Sequence, residues 1–320
     1  MLINMILIVL GFVLLIGSAN VLVDAASDIA KRFGISDRII GLTVVAVGTS
    51  LPELMIGITS AGDGHMDMAL GNVAGSCLAN LLLILGLTAL ITPVRLSRRT
   101  RRLDIPVSIL SAGVLLLFAN TGNGISTLEG VVLVVLFALF IAQTVIQGVR
   151  EGGEGSEAGG AGGADEADAP SRALVVNILL LLGSSLVLKV GADLVVDSAV
   201  SIADMFGLSE GVIGTTVVAI GTCLPELVTA VMAALRGNTD IAVGNVVGSN
   251  ISNLLLVPGV TAIVTPISYN VAYNFDFLLV MVCTALLLVF AWSGRKQTLT
   301  RVNGACFLLL CAVYLVATAA

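Results

Sequence analysis

Apolar residues run along this chain in long blocks separated by short polar intervals. A helix needs about 20 mostly apolar residues to cross a bilayer. Ten blocks are candidates, near 4–24, 37–60, 66–92, 103–120, 127–148, 174–197, 209–235, 241–264, 276–293 and 303–319. The pattern predicts an all-α integral membrane protein of ten transmembrane helices.

Composition strengthens that picture. Apolar residues make up 57% of the chain and charged residues 11%, with a mean hydropathy of +1.08. A soluble domain carries about 25% charged residues. The first block is not expected to be a cleaved leader, because residues 1–10 hold no basic charge and residues 17–35 belong to a repeat described below. The five cysteines are an odd number, and four fall inside predicted spans with Cys306 near a span end. They form neither a disulfide framework nor a zinc pattern.

Charge then orients the chain, since short cytoplasmic loops collect lysine and arginine. The loop after span 1 holds Lys31, Arg32 and Arg38, and the loop after span 3 holds Arg95, Arg98, Arg99, Arg101 and Arg102. Arg150 and Arg172 follow span 5, Arg236 follows span 7, and Arg295, Lys296 and Arg301 follow span 9. Every lysine and arginine except Lys189 therefore lies in an odd-numbered loop. The even loops hold Asp63, Asp67, Asp204 and Glu210. The expected topology has odd loops in the cytoplasm and both termini outside, in the cell membrane.

The blocks also repeat. Residues 41–58 read GLTVVAVGTSLPELMIGI and residues 214–231 read GTTVVAIGTCLPELVTAV. Residues 71–94 read GNVAGSCLANLLLILGLTALITPV and residues 244–267 read GNVVGSNISNLLLVPGVTAIVTPI. The offset is 173 positions, ungapped from Gly17 to Pro93, and it spans five helices. Five is odd, so the second copy is inverted in the membrane, an arrangement common in transporters with a site at the midplane. The expected organisation is a first five-helix repeat over 1–149, a flexible acidic cytoplasmic linker over 150–171, and a second, inverted repeat over 172–320. The linker is rich in glycine, alanine and acid.

The segments that carry chemistry are Gly48-Thr-Ser-Leu-Pro-Glu53 and its copy Gly221-Thr-Cys-Leu-Pro-Glu226. Pro52 and Pro225 lack an N–H and free the carbonyls of Gly48 and Gly221. A freed carbonyl inside a membrane needs a partner, and a cation is one. Thr49 and Glu53 are four apart, on one helix face. A carboxylate at membrane depth usually marks a functional site. In the next helix Ser76 and Asn80 are four apart, copied as Ser249 and Asn253. Gly71, Gly75, Gly244 and Gly248 read mainly as close-packing residues. Carboxylates, hydroxyls, amides and carbonyls without histidine or thiolate suit hard cations such as calcium.

The paired GTSLPE/GTCLPE and GNVxGS segments resemble the two alpha repeats of the sodium/calcium exchanger family, in the cation/calcium antiporter superfamily. The resemblance covers nearly the whole chain. It implies alternating access, with sodium and calcium competing for overlapping sites. It carries calcium ligation onto Thr49, Glu53, Thr222 and Glu226. It carries flanking sodium sites onto Ser50, Ser76 and Ser249 and the carbonyls of Ala46 and Ala219, with Asn80 and Asn253 completing the centre.

Three positions depart from symmetry or from the family. Cys223 stands where the first copy has Ser50, and a thiol is a poor sodium ligand. Cys77 stands where the second copy has Asn250. Asn253 replaces an aspartate common in prokaryotic relatives. Two carboxylates then balance one calcium ion, two sodium ions or two protons. The coupling ion is open between sodium and proton.

The ions are transported ligands, and no cofactor, nucleic-acid partner or catalytic residue is expected. A channel fits poorly with inverted halves. An intramembrane enzyme lacks a nucleophile–base pair and any histidine in the spans. Asp24, Asp193, Asp197 and Asn20 read as caps or solvated positions near span ends, and Lys189 as a residue that snorkels to the interface or pairs with an acid.

Overall fold

The computed structural model describes residues 1–122, 124–158, 174–207, 219–293 and 297–319. The described residues are helical apart from turns and four two-residue strands. Ten helical units follow in order: α1 (Leu2–Phe33), α2 (Asp37–Gly62), α3 (Met66–Ile91), α4 (Thr100–Asn120), α5 (Thr127–Ala158), α6 (Leu174–Met205), α7 (Leu224–Leu235, after a helical turn over Ala219–Thr222), α8 (Thr239–Val264), α9 (Tyr273–Ser293) and α10 (Arg301–Ala319). Among the described residues nine helices are long and apolar enough to span a membrane, and α7 is a shorter apolar helix. The first part of the seventh expected span lies outside the described residues.

Two helices run well past their hydrophobic blocks. α1 and α6 each hold 32 residues, about 48 Å of helix against about 30 Å of hydrocarbon. Hydropathy marks the membrane boundary, whereas a helix ends where its backbone is capped. Gly34, with φ 62°, closes α1 in a left-handed turn that accepts no side chain cheaply. α5 likewise continues to Ala158, beyond the linker boundary expected at 150. Residues 159–171, the rest of that linker, lie outside the described residues.

The sides on which loops meet agree with the parity of the basic residues. Strands β1 (Val94–Arg95) and β4 (Thr298–Leu299) pair antiparallel, as do β2 (Gly124–Ile125) and β3 (Ile267–Ser268). The first pair joins the loops after spans 3 and 9, and the second joins those after spans 4 and 8. β1 and β3 are 173 positions apart, so the two small sheets are repeat copies of one another. Other contacts follow the same rule. Asn238, after span 7, donates to Asp37, after span 1, at 2.7 Å. Tyr273, after span 8, donates to the Asp67 carbonyl, after span 2, at 2.7 Å. Odd loops meet odd loops and even meet even.

Close helix crossings join the halves. α1 lies antiparallel to α6, with Gly11 against Gly191 and Val195, and Leu15 against Gly191. α2 crosses α8 most tightly. A Cβ on Gly244 would sit 2.8 Å from the Arg38 carbonyl, and one on Gly248 would sit 2.7 Å from both the Leu42 carbonyl and the Ala46 Cβ. The packing role expected for Gly244 and Gly248 follows from these distances. Of their copies, Gly71 has the Tyr273 hydroxyl at 3.5 Å, and the segment equivalent to Arg38–Val45, residues 211–218, lies outside the described residues.

Several charges at the ends of the spans are paired. Arg38 and Asp104 form an ion pair at 2.7 Å with side-chain exposures of 5% and 0%. The Arg101 guanidinium lies 5.4 Å over the Trp292 ring, a cation–π contact. Lys189 pairs with Asp193 one turn along α6, the second of its two expected roles, so Asp193 is not merely a cap or a solvated residue. Asp24 is not merely solvated as expected, because it forms an ion pair with Arg236 of the other half. Asn20 joins it, its carbonyl accepting from Arg236 at 3.4 Å.

Candidate functional site

The site is assembled from breaks in four helices. Ser50, with φ −86° and ψ 4°, interrupts α2 just before Leu51-Pro52. Cys223, with φ −91° and ψ 2°, does the same before Leu224-Pro225. Proline at the second position of each following segment explains both breaks, because its ring cannot sit against the carbonyl one turn back. Each break turns a glutamate, Glu53 or Glu226, into the first turn of a new helical segment, where N–H dipoles favour negative charge.

The facing helices are distorted in matching places. α3 widens to a π-helical segment over Ala79–Ile84, and α8 does so over Ser252–Leu256. Both segments begin one residue before an asparagine, Asn80 or Asn253. Such bulges leave main-chain and side-chain groups turned out of the regular ladder and occur often at functional sites.

These elements bring most of the expected residues into one buried polar cluster. Glu53 and Glu226 are 1% and 0% exposed. Each lies within electrostatic reach of the other, and the Cys223 thiol lies within reach of both. Ser76 donates to Glu53 Oε1 at 3.5 Å, and Cys223 Sγ lies 3.9 Å from Ser76 Oγ. Ser249 Oγ lies 3.4 Å from Thr49 Oγ1 and 3.4 Å from the Ala46 carbonyl. Thr222 contacts Cys223 Sγ at 3.9 Å. Ala219 opens the turn that leads to Thr222, and its surroundings lie outside the described residues.

Three of the four glutamate oxygens, Glu53 Oε2 and both oxygens of Glu226, have no protein hydrogen-bond partner. Ser50 Oγ, Asn80 Oδ1 and both amide atoms of Asn253 are in the same condition. Buried polar groups are almost always paired, and a carboxylate at the centre of a membrane helix costs roughly 2.5–3.5 kcal/mol or more. Buried carboxylate oxygens that lack a protein donor, beside hydroxyl and amide oxygens, are the arrangement a cation stabilises. The donor set is oxygen, from carboxylates, hydroxyls and amides, as hard cations require. Among the described residues no group of three histidine, cysteine, aspartate or glutamate side chains is gathered to hold a metal, so the site has two charges and a neutral shell. The Ala46 carbonyl already accepts from the Ser50 N–H and Ser249 and lies near the Thr49 hydroxyl. It would join a cation only by sharing these bonds.

Two asparagines that the sequence did not assign to the site join the cluster. Asn245 Oδ1 lies 3.0 Å from Thr49 Oγ1, and its Nδ2 donates to the Glu226 carbonyl at 3.4 Å. Asn250 Oδ1 accepts from Asn80 Nδ2 at 3.0 Å. A signal was available for the first. Asn245, Ser249 and Asn253 step by four along α8, as Asn72, Ser76 and Asn80 do along α3, so each series lines one helix face.

Comparisons with known proteins agree with this architecture. The family described as sodium/calcium exchanger protein matches residues 3–145 and 176–320, one segment for each half. The chain is 33% identical to the sodium/calcium exchanger MaX1 of Methanosarcina acetivorans, over 98% of both chains. It is 25% identical to the Ca(2+)/H(+) antiporter ChaA of Bacillus subtilis, over 79% of this chain and 75% of that one. Its structure matches that of the sodium-calcium exchanger NCX_Mj soaked with zero Na+ and Ca2+, with a TM-score of 0.82, 30% identity and 99% of each chain covered. With both halves matched and the fold shared over its full length, the chain belongs to the sodium/calcium exchanger family of membrane antiporters.

Proposed function

We propose that this protein exchanges calcium for sodium, with Glu53 and Glu226 as the charged pair for which the two ions compete. The observation that carries this reading is the pair of buried carboxylates with three of four oxygens lacking a protein partner, inside a shell of hydroxyl and amide oxygens. Two negative charges balance one calcium or two sodium ions. Thr49, Thr222 and the two glutamates hold calcium. Ser50, Ser76, Ser249 and the Ala46 and Ala219 carbonyls hold sodium on either side, and Asn80 and Asn253 close the centre. An unoccupied pair of buried charges is costly to carry across, which ties movement in one direction to movement in the other.

Alternating access follows from unequal packing of equal parts. α1 packs along α7, while their repeat counterparts, α6 and the 51–62 segment of α2, make no comparable contact among the described residues. α2 is closed on α8 at Gly244 and Gly248. With odd loops in the cytoplasm, the packing of α1 along α7 lies on the cytoplasmic side of the site. Exchanging the two packings between the halves gives the opposite state, and a ligand shifts the balance only through its difference in affinity for the two. The linker over 150–171 serves as a cytoplasmic tether between the halves.

A calcium/proton antiporter is the second reading. It is favoured by Cys223, whose thiol replaces the hydroxyl of Ser50 beside the second glutamate, and by the likeness to a relative named for calcium/proton exchange. Calcium uptake into vesicles under an imposed sodium gradient, set against uptake under an imposed pH gradient, separates the two. Uptake driven by sodium at fixed pH supports the first reading, and uptake driven only by the pH gradient supports the second.

A further inference from the structure

We propose that Asn250 is a positioning residue for cation binding, fixing the Asn80 amide so that its oxygen, rather than its nitrogen, faces the ion site. The proposal rests on the reading of Asn80 as part of that site. The argument starts from an atom whose chemistry is not in question. Asn250 Nδ2 lies 3.3 Å from the Cys77 carbonyl, and a backbone carbonyl only accepts. That contact sets which end of the Asn250 amide is nitrogen, and so turns its Oδ1 toward α3. The Asn250 oxygen also only accepts, so Asn80 presents its NH2 to it at 3.0 Å. The Asn80 oxygen is thereby left out of that bond, and it is buried with no protein partner. Asn80 and Asn250 are 1% and 0% exposed, so water does not compete for either bond.

The two halves are unequal here. Asn250 and Cys77 occupy equivalent positions of the two repeats and touch each other, Cys77 Sγ lying 3.9 Å from the Asn250 carbonyl. A thiol is a weak acceptor, and Cys77 does not do for Asn253 what Asn250 does for Asn80. Both amide atoms of Asn253 are accordingly without a protein partner. One central asparagine is a fixed oxygen ligand, and the other is free to turn either end of its amide to the site. Substitution of Asn250 by an apolar residue removes the acceptor and lets the Asn80 amide rotate, which puts N–H donors where the cation needs oxygen.

The test is a double-mutant cycle on the calcium KM of exchange in proteoliposomes. Asn250→Ala is expected to raise the KM about tenfold with turnover within about twofold of wild type, the scale of one hydrogen bond to a charged group. In an Asn80→Ala background the same substitution is expected to change the KM less than about twofold, because its target is gone. If Asn250→Ala does not fold, Asn250→Val is judged by the same criteria. An equal KM rise in both backgrounds, or a fall in turnover alone, overturns the proposal and leaves Asn250 a simple tie between α3 and α8. A wild-type KM for Asn80→Ala itself would instead overturn the site reading on which the proposal rests.

Discussion

Arg236, in the loop after α7, reaches across the halves to the carboxylate of Asp24 on α1. The equivalent positions in the other repeat, Asp63 and Asp197, are both acids. The inverted halves are therefore alike in backbone and unlike in charge at their mouths. The attractive pair sits on the side where α1 is closed on α7, and two like charges occupy the matching positions of the other side. Both partners are partly exposed, at 36% and 52%, so screening keeps the pair weak. Arg236→Gln is expected to change calcium turnover by about two- to threefold with little effect on KM. The charge swap Asp24→Arg with Arg236→Asp should restore the wild-type rate. A change confined to KM would place the pair in ion binding instead.

Packing at Gly248 gives a sharper prediction. Gly248 has no room for a side chain, with two atoms 2.7 Å from its Cβ position. Gly248→Ala should destabilise the purified protein by about 1–3 kcal/mol, the cost of overpacking a tight contact, and thermal unfolding measures it.

The buried Arg38–Asp104 pair is a stability element rather than part of the ion path. Each side chain is at most 5% exposed, and one polar atom of each, Arg38 Nη2 and Asp104 Oδ1, has no protein partner. Asp104→Ala strands the guanidinium and is expected to cost about 3–5 kcal/mol, while Arg38→Met with Asp104→Leu should recover most of that loss. Denaturant or thermal unfolding of the detergent-solubilised protein distinguishes the two variants. Equal losses would show that the charge itself is needed.

Much of this was legible in the sequence, and the residues show why. The spans follow from apolar blocks, and the inversion follows from a 173-position offset across an odd number of helices. The glutamates stand out because each is a charge at membrane depth beside a proline. What sequence could not convey is pairing between positions far apart in the chain. Thr49 with Asn245, Asn80 with Asn250 and Asp24 with Arg236 are separated by 196, 170 and 212 positions. Each pair joins the halves, so only the docking of one repeat on the other brings it together. The π-helical turns at Asn80 and Asn253 were also hidden, because the local sequence Asn-Leu-Leu-Leu is compatible with an ordinary helix.

Cys223 bears on the coupling ion. Its thiol occupies the place where the first copy carries the Ser50 hydroxyl, and it lies within reach of both carboxylates. Cys223→Ser supplies an oxygen in its place. Under sodium coupling this variant should lower the half-saturating sodium concentration by about threefold or more, on the scale of a hydroxyl contact to a charge, with calcium KM little changed. Unaltered sodium dependence would mean that this position faces no sodium ion.

The paired glutamates are tested most directly by radiolabelled calcium flux into proteoliposomes, comparing wild type with Glu53→Gln and Glu226→Gln at equal protein density. Glutamine keeps the size and one oxygen of each side chain while removing half of the charge that balances calcium. The account predicts that each single variant loses exchange by about a hundredfold or more, on the scale of 3–4 kcal/mol for an uncompensated interaction with a buried charge. Calcium flux at the wild-type rate in both variants would contradict it.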